Sequence, residues 1–392
     1  MKVLHLLKTA VGASWALRQT TELVKLGVEV HLALPDGPMV KRYQSAGVQV
    51  HIFDPSINLR RPWRNITQIK LLRQLVAKVK PDIIHSHFVA TTLLMRIALR
   101  QDPTPRIFHV PGPLHLEHWA FRYGELGCAS QQDHWLASCL WTQKAYLSYG
   151  IDPSRVGLAY YGVNEEDFCV NSNQNIDIKE QLNLADDTFL LGMVAYFYPP
   201  KPILGQKRGL KGHEDLIDAM AIVNKTHPQV KCVFVGGAWG DSQEYFAQVQ
   251  AYAAKTVGEN CIFLGMRSDV PQLYPQFNLA VHPSHSENVG GAVESMYAGV
   301  ATLTSDVGGF PDLVEDGVTG YMAPAKRPAV LAQKIIQAID HPKQRQEQVA
   351  NASDKVAQVM NVQHNALQVF AFYQQIQCTY QPHKRLTGGK HA

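Results

Sequence analysis

The stretch HPSHSENVGGAVESMYAG at residues 282–299 decides the fold and points to the site. An apolar, β-rich run ends near Pro283, and Gly290 and Gly291 open a segment with helical character. The start of a helix offers unpaired backbone N–H groups at the positive end of its dipole, and residues without a Cβ atom let an anion come close. The stretch therefore predicts a strand, a loop that carries Glu287, and a helix whose first turn binds a diphosphate.

Glu294 follows within about a turn of the same predicted helix, where a carboxylate would repel a diphosphate. It fits the site if it points sideways and accepts hydrogen bonds from a pair of sugar hydroxyls. The simpler interpretation is a solvated helix carboxylate, but the flanking Gly-Gly and Ala-Gly pairs favour a binding role. Together these residues predict a nucleotide-sugar site, with backbone N–H groups for the diphosphate, one carboxylate for the ribose and one for the hexose.

The same order of strand and helix extends in both directions from this stretch. Near the amino terminus, the apolar run Val3–Leu7 precedes a segment of helical spacing, Ser14–Leu26, and the alternation continues to the polar stretch 171–187 and resumes after it. Alternating strands and helices form a parallel sheet that helices cover on both faces. We therefore predict an α/β protein of two Rossmann-like domains, residues 1–170 and 186–361, facing each other across a cleft.

Composition excludes several other classes of protein. Of the 392 residues, 18% are charged and 46% are hydrophobic, which is typical of a globular chain and not of a disordered one. No apolar run is long enough to predict a membrane-spanning helix, and Lys8 interrupts the apolar part of Met1–Arg18 where a signal peptide needs it intact. We therefore expect a cytoplasmic protein.

Neither the 6 cysteines nor the 17 histidines have the spacing of a metal site. The sequence contains no Cys-x-x-Cys, no His-Glu-x-x-His and no two aspartates separated by one residue. We therefore predict reduced cysteines, no metal ligands and no cofactor. Histidines such as His282 and His285 are expected to be ordinary hydrogen-bonded or exposed residues.

Several segments together resemble the retaining GT-B glycosyltransferases of family 4. Residues 282–299 are similar to the family's Pro-Ser-x-x-Glu motif with a second glutamate downstream, and residues 305–320 are similar to its Gly-Gly-x-Pro-Glu/Asp loop and Asp-Gly-x-x-Gly turn. KGHEDLIDA at 211–219 resembles the family's lysine-glycine helix start, and residues 263–274 resemble its loop on the base side of the nucleotide. The resemblance covers nearly all of residues 2–325.

This resemblance implies a fold and an activity. The last helix, residues 362–380, would cross back to the first domain, and the Gly, Lys and His content of residues 381–392 predicts a flexible tail after it. The enzyme would transfer a sugar from a UDP- or GDP-linked donor, with retention, to a hydroxyl of a saccharide or lipid-linked saccharide. The resemblance further implies a role in the synthesis of a cell-surface polysaccharide or other glycoconjugate, and transfer without a metal ion.

The resemblance also assigns roles to individual residues. Glu287 and Lys211 would act at the transferred sugar and the diphosphate, and either His109 or His115, just after a strand of the first domain, would lie near the reacting sugar. The residues predicted to bind the donor are Gly12, Arg208, Lys211, Gly265, Arg267, Glu287, Asn288, Val289, Gly290, Gly291 and Glu294.

Three departures from the family pattern affect these assignments. Glu287 and Glu294 are seven residues apart, one fewer than is usual in the family, so the loop must be one residue tighter. Tyr196 stands where the family has an arginine, and Arg208, in an inserted segment, is a possible replacement. Gly12 is a single glycine where the family often has two, and a lone glycine after a strand is more often a plain turn residue.

Two other functions fit the same residues. A nucleotide-sugar epimerase of this architecture would convert the donor without an acceptor, and a non-catalytic subunit would bind the donor without transfer or hydrolysis. The amphipathic segment Ile66–Lys80, preceded by RRPWR at 60–64, is either a solvated surface helix or a peripheral membrane contact. Nucleic-acid binding is not expected, because no aromatic-rich basic motif accompanies the positive charge.

Overall fold

The computed structural model describes residues 1–58, 61–110, 112–168 and 177–387. The chain packs into two compact units. Unit 1 comprises Met1–Val163 and Met360–Ala392, and unit 2 comprises Asn164–Val359. The division therefore falls before residue 170, where the polar stretch of the sequence suggested the end of the first domain.

Unit 1 is built on a parallel sheet of seven strands in the order β3-β2-β1-β4-β5-β6-β7. The strands are β1 Lys2–Leu6, β2 Glu29–Leu34, β3 Gln49–Ile52, β4 Ile83–Ser86, β5 Arg106–His109, β6 Asp133–Ala137 and β7 Val156–Leu158. The helices are α1 Ser14–Lys25, α2 Val40–Ser45, α3 Arg64–Val79, α4 Val89–Ala98, α5 Leu114–Glu117, α6 Trp119–Gly127 and α7 Leu140–Ser148. The strands read as apolar runs because helices cover both faces of the sheet.

Unit 2 contains a second parallel sheet, of six strands in the order β10-β9-β8-β11-β12-β13. The strands are β8 Leu190–Val194, β9 Lys231–Val235, β10 Cys261–Gly265, β11 Leu279–His282, β12 Thr302–Ser305 and β13 Tyr321–Ala323. The helices are α8 Ile178–Gln181, α9 His213–Val223, α10 Gln243–Val257, α11 Val270–Leu273, α12 Gly290–Tyr297, α13 Phe310–Leu313, α14 Pro328–Asp340 and α15 Pro342–Met360. Short 3₁₀ turns cover Pro153–Arg155 of unit 1 and Glu165–Phe168, Pro202–Leu204, Gly258–Asn260 and Tyr274–Gln276 of unit 2.

The last helix, α16 (Val362–Thr387), returns to unit 1, as predicted. Its apolar side chains Val369, Tyr373 and Ile376 are buried in the same hydrophobic core as residues of the unit 1 sheet. The helix continues to Thr387, so the first part of the stretch predicted as a flexible tail is helical. Residues 388–392 of that predicted tail lie outside the described residues.

Strand β6 begins in a buried ion-pair network. The strand begins with Asp133, which accepts hydrogen bonds from Arg96 Nε at 2.9 Å and Arg106 Nη2 at 3.1 Å. Arg96 also pairs with Glu125 at 2.7 Å, and all four side chains are buried. Buried charges of this kind are tolerated because they are paired.

In a parallel sheet the carboxyl ends of the strands meet at one edge, where ligands bind in α/β proteins. In unit 2, β8 and β11 are neighbours and end at this edge, followed by Ala195 and Pro283. Within the described residues, none of the helices is both long and apolar enough to span a membrane.

Candidate functional site

The stretch that follows β11 in unit 2 has the predicted strand, loop and helix. β11 ends at His282, and α12 begins at Gly290. Gly290 has a φ of +37°, and a Cβ atom placed on it would lie 2.8 Å from Cδ of Glu287. The backbone conformation therefore favours glycine at this position, and a side chain here would displace the Glu287 carboxylate from the start of the helix.

Lys211 and Glu287, two of the predicted catalytic residues, are brought together although 76 residues separate them. The Lys211 ammonium donates a hydrogen bond to Oε2 of Glu287, and the backbone N–H of Asn288 donates to Oε1 at 3.1 Å. The Lys211 and Glu287 side chains are 21% and 15% exposed, respectively. A ligand can therefore reach a lysine and a carboxylate that neutralise each other in the unliganded protein.

Backbone contacts between residues 210–212 and residues 283–285 fix the Lys211–Glu287 pair. The N–H of His285 donates to the carbonyl of Leu210 at 2.8 Å. Gly212, with a φ of +77°, lies so close to the other loop that a Cβ atom would be 2.1 Å from the carbonyl oxygen of Pro283. Only glycine fits here, which explains why a glycine must follow the lysine.

Tyr198, which the motifs did not indicate, lies beside the predicted residue Lys211. Lys211 Nζ is 5.8 Å from the ring centre of Tyr198, within the range of a cation–π interaction. Burial, together with the charge of Glu287, raises the pKa of the Tyr198 hydroxyl to about 12, so this tyrosine is protonated at neutral pH. Its position four residues after β8, close to Tyr196, was the signal available in the sequence.

Glu294 is the fifth residue of α12, and Tyr274 orients it. The buried Tyr274 hydroxyl lies 3.2 Å from Oε2 of Glu294 and 3.4 Å from the carbonyl oxygen of Gly291, and it can donate to either. Burial and the neighbouring Glu294 charge raise the pKa of this hydroxyl well above its usual value, so it remains a donor. Tyr274 is therefore a positioning residue that the sequence analysis placed only within the base-side loop.

The two predicted arginines are both engaged by carboxylates of unit 2. Arg208 Nη1 lies 2.6 Å from Oδ1 of Asp215 and 2.7 Å from Oδ2 of Asp218. Arg267 lies two residues after Gly265, the last residue of β10, and its Nε donates to Oδ1 of Asp269 at 2.7 Å. An anion that binds either arginine would have to compete with these carboxylates.

Asn288 and Val289 connect Glu287 to the helix. The carbonyl of Asn288 accepts a hydrogen bond from the N–H of Gly309 at 2.8 Å, which ties this loop to the predicted Gly-Gly-x-Pro segment. Val289 is the N-cap residue of α12 and is buried. His285, expected to be an ordinary hydrogen-bonded residue, pairs with Asp215 at 2.6 Å.

The residues predicted in the first domain lie in unit 1. His109 ends β5 and its Nε2 lies 2.9 Å from the carbonyl oxygen of Ala159, while His115 lies in α5 with Nε2 3.1 Å from the Tyr146 hydroxyl. Both are buried, and burial lowers the pKa of His109 to about 3 and that of His115 to about 4. Gly12 lies between β1 and α1, exposed and with a φ of +68°, so the turn itself requires a glycine.

Two family models together match most of the chain. A model of the group 1 glycosyl transferases matches residues 202–355, and a model of Glycosyltransferase Family 4 matches residues 13–167. The chain belongs to the group 1 glycosyltransferases of family 4. The predicted family is thereby confirmed.

Known proteins similar to this family 4 glycosyltransferase include two bacterial enzymes. The lipopolysaccharide 1,2-N-acetylglucosaminetransferase of Salmonella typhimurium is 31% identical over 186 residues, which are 45% of each chain. The capsular polysaccharide biosynthesis glycosyltransferase CapM of Staphylococcus aureus is 24% identical over 357 residues, 86% of this chain and 88% of CapM.

The fold of this glycosyltransferase matches a solved structure, that of Anabaena HepE in complex with UDP and glucose. The TM-score is 0.78 with 21% identity, and the match covers 95% of this chain and 98% of HepE. The predicted fold class, two parallel α/β domains of the GT-B type, is thereby confirmed.

Proposed function

We propose that this glycosyltransferase transfers a sugar from a UDP- or GDP-linked donor to an acceptor hydroxyl, with retention of the anomeric configuration. The observation that carries the proposal is the contact of Lys211 with Glu287 beside the open start of α12. A cation and helix amides suit a diphosphate, and a carboxylate within reach of the same point suits the hydroxyls of the sugar attached to it. The UDP and glucose bound by HepE support this assignment.

In the proposed mechanism, donor binding rearranges the Lys211–Glu287 pair. The diphosphate competes for the Lys211 ammonium, and Glu287 then accepts hydrogen bonds from the transferred sugar. As the bond to the sugar breaks, negative charge grows on the leaving diphosphate, and Lys211 and the first amides of α12 stabilise it. Because these groups do what a divalent cation does in other enzymes, we propose that this step needs no magnesium ion.

At the other end of the donor, Glu294 binds the ribose hydroxyls in an orientation set by Tyr274. Gly265 and Arg267 belong to the loop that we propose to lie at the base. We propose that Arg208 and Gly12 contact the diphosphate. One of the two buried histidines His109 and His115 is proposed to lie near the reacting sugar, and alanine variants of each distinguish them.

We further propose that the acceptor is a saccharide or lipid-linked saccharide and that the enzyme works in cell-surface polysaccharide or glycoconjugate synthesis. The polysaccharide and lipopolysaccharide enzymes among its relatives support this assignment. A peripheral membrane contact of a cytoplasmic enzyme is supported by Trp63 and Ile66, which are 66% and 73% exposed next to basic residues of α3. Arg60, predicted to take part, lies outside the described residues.

A donor screen followed by transfer assays tests the proposed function. UDP-, GDP- and ADP-sugars are first ranked by thermal shift, since a ligand at about 100 times its dissociation constant stabilises by roughly 2.7 kcal/mol. The preferred donor is then incubated with acceptors and with Lys211→Ala, His109→Ala and His115→Ala variants. Transfer that depends on Lys211 supports the proposal, whereas conversion of the donor sugar without an acceptor indicates an epimerase.

Binding of a donor with neither transfer nor slow hydrolysis would instead identify a non-catalytic subunit. The membrane contact is tested by sedimentation with anionic and neutral vesicles. Wild type should bind the anionic vesicles, and Trp63→Ser should bind them more weakly; equal recovery of both proteins would remove the proposed contact.

A further inference from the structure

Three histidines of unit 1 meet at the carboxyl edge of its sheet. His5 in β1 is the register partner of His85 in β4, and His87 follows two residues later, so it shares the side of the chain that His85 occupies. One ring nitrogen from each of the three lies within 4.8 Å of the others. All three side chains are fully buried. Neighbouring strands therefore bring together a His-x-His pair and a third histidine that are distant in sequence.

Hydrogen bonds fix the outer nitrogens of these rings. Tyr161 donates its hydroxyl proton to the carbonyl of His109 at 3.1 Å, so its oxygen is free to accept from Nδ1 of His87 at 3.2 Å. The Tyr373 hydroxyl lies 2.5 Å from Nδ1 of His85 and 3.4 Å from Nε2 of His5. Each histidine thus has one nitrogen on a tyrosine hydroxyl and the other turned towards its neighbours.

The ring nitrogens that face one another inside the cluster have too few hydrogen-bond partners. Nε2 of His87 faces Nδ1 of His5 at 2.9 Å, and a single proton can serve this contact. Nε2 of His85 is buried and has no hydrogen-bond partner within the described part of the chain. Nδ1 of the adjacent His109 is in the same situation, although the other nitrogen of that ring lies on a carbonyl oxygen at 2.9 Å. A buried polar atom without a partner is costly and calls for an explanation.

We propose that His5, His85 and His87 form a binding site for a first-row transition-metal ion of the Zn²⁺ class. Three imidazole nitrogens from a His-x-His pair and a neighbouring strand are a ligand set that such ions take, with Zn–N bonds of about 2.0 to 2.1 Å. Metal-bound histidines usually have their other nitrogen held by a polar partner, the role that Tyr161 and Tyr373 fill here.

The tautomer of His5 decides whether all three rings can bind one ion. Binding requires His5 to carry its proton on Nε2, which faces Tyr373, and to offer Nδ1 to the ion. The ring centre of His109 lies 5.3 Å from that of His85, next to the cluster.

This inference does not rest on the proposed function, because its test measures metal binding and not sugar transfer. Protein without a polyhistidine tag is stripped with a chelator, dialysed and titrated with Co²⁺ and Zn²⁺. We expect one equivalent of Co²⁺ per chain, with visible ligand-field bands, displacement by Zn²⁺ and a higher unfolding temperature with metal than without. Failure of the wild-type protein to bind any stoichiometric metal would overturn the proposal by itself.

The chain offers a matched control for the site. His31 Nδ1 lies 2.9 Å from His51 Nε2 and the two rings stack, so this pair repeats the contact between His5 and His87 without a third histidine. We expect His87→Gln to weaken Co²⁺ binding at least tenfold and to lose the unfolding-temperature shift, while His51→Gln binds like wild type. Equal Co²⁺ spectra and affinities for the two variants would show that the cluster is only a hydrogen-bonded group of histidines.

Discussion

Replacement of Glu294 and of Glu287 by alanine should have different effects on the binding of the free nucleoside diphosphate. Glu294 is held by Tyr274 and is proposed to accept hydrogen bonds from the ribose. Loss of a charged acceptor costs about 1.5 to 3 kcal/mol, which is roughly a tenfold to hundredfold loss of affinity. Because the ribose is present in both ligands, Glu294→Ala should weaken the free diphosphate and the intact donor alike.

Glu287→Ala should act differently because Glu287 neutralises Lys211 in the unliganded protein. Its removal frees the ammonium for the diphosphate, and an ion pair with side chains 21% and 15% exposed is worth about 1 kcal/mol at most after solvent screening. The free diphosphate should therefore bind equally well or up to about fivefold more tightly. The intact donor, which loses its sugar contact, should bind or react less well.

Titration calorimetry of both variants with both ligands tests this reasoning. Tyr274→Phe is a matched control, since it keeps Glu294 but removes the hydroxyl that orients it, and the loss should be smaller, about 1 kcal/mol. Equal losses of free-diphosphate affinity in the Glu294 and Glu287 variants would refute the division of roles between the two glutamates.

Four further outcomes are expected. Lys211→Ala should lower turnover more than Arg208→Ala, because two carboxylates compete with the diphosphate for the Arg208 guanidinium; steady-state kinetics of the folded variants decide, and equal losses would show that Arg208 contributes as much as Lys211. Transfer should persist in EDTA. If EDTA abolished transfer and Mg²⁺, but not Zn²⁺, restored it, metal-independent departure of the diphosphate would be contradicted. Gly212→Ala should lower the unfolding temperature and the activity together, because its Cβ atom would lie 2.1 Å from the Pro283 oxygen; an unchanged variant would show that the loops move apart easily. Burial lowers the pKa of His282 to about 3, below its unfolded value, so the unfolded chain takes up this proton first. The contribution of His282 to the free energy of unfolding therefore falls from about pH 6.5 downwards, by up to about 1.4 kcal/mol per pH unit. His282→Gln should reduce the pH dependence of the free energy of unfolding in urea titrations, and an identical dependence in both proteins would contradict the assignment.

The strand and the helix around the site could be predicted because each has its own local sequence pattern. The apolar run of β11 and the Gly-Gly start of α12 are read within a few residues of one another, and the structure has both. The buried charge of Asp133 at the start of β6 could not be predicted in this way, because only the fold reveals the arginines that pair with it. Local pattern therefore predicts elements, but not the long-range pairing that lets a charge be buried.

The same limit applies to the side chains of the site. The motifs named Lys211 and Glu287 separately, but their contact joins residues 76 apart and depends on the close approach at Gly212. His85 and His87 are separated by one residue in the sequence, but the third histidine of the cluster is not visible there, because His5 meets His85 only through the pairing of β1 with β4. The orientation of Glu294 by Tyr274 likewise follows from packing that no motif encodes.

The central claim is retaining transfer from a nucleoside-diphosphate sugar, and it can be tested without knowing the acceptor. Time-resolved ¹H NMR follows slow hydrolysis of the preferred α-linked donor and shows which anomer of the sugar forms first, before mutarotation. We predict release of the nucleoside diphosphate with the α anomer formed first, and loss of this reaction in Lys211→Ala. Formation of the β anomer first, or conversion of the donor to another nucleotide sugar with no release, would contradict the account.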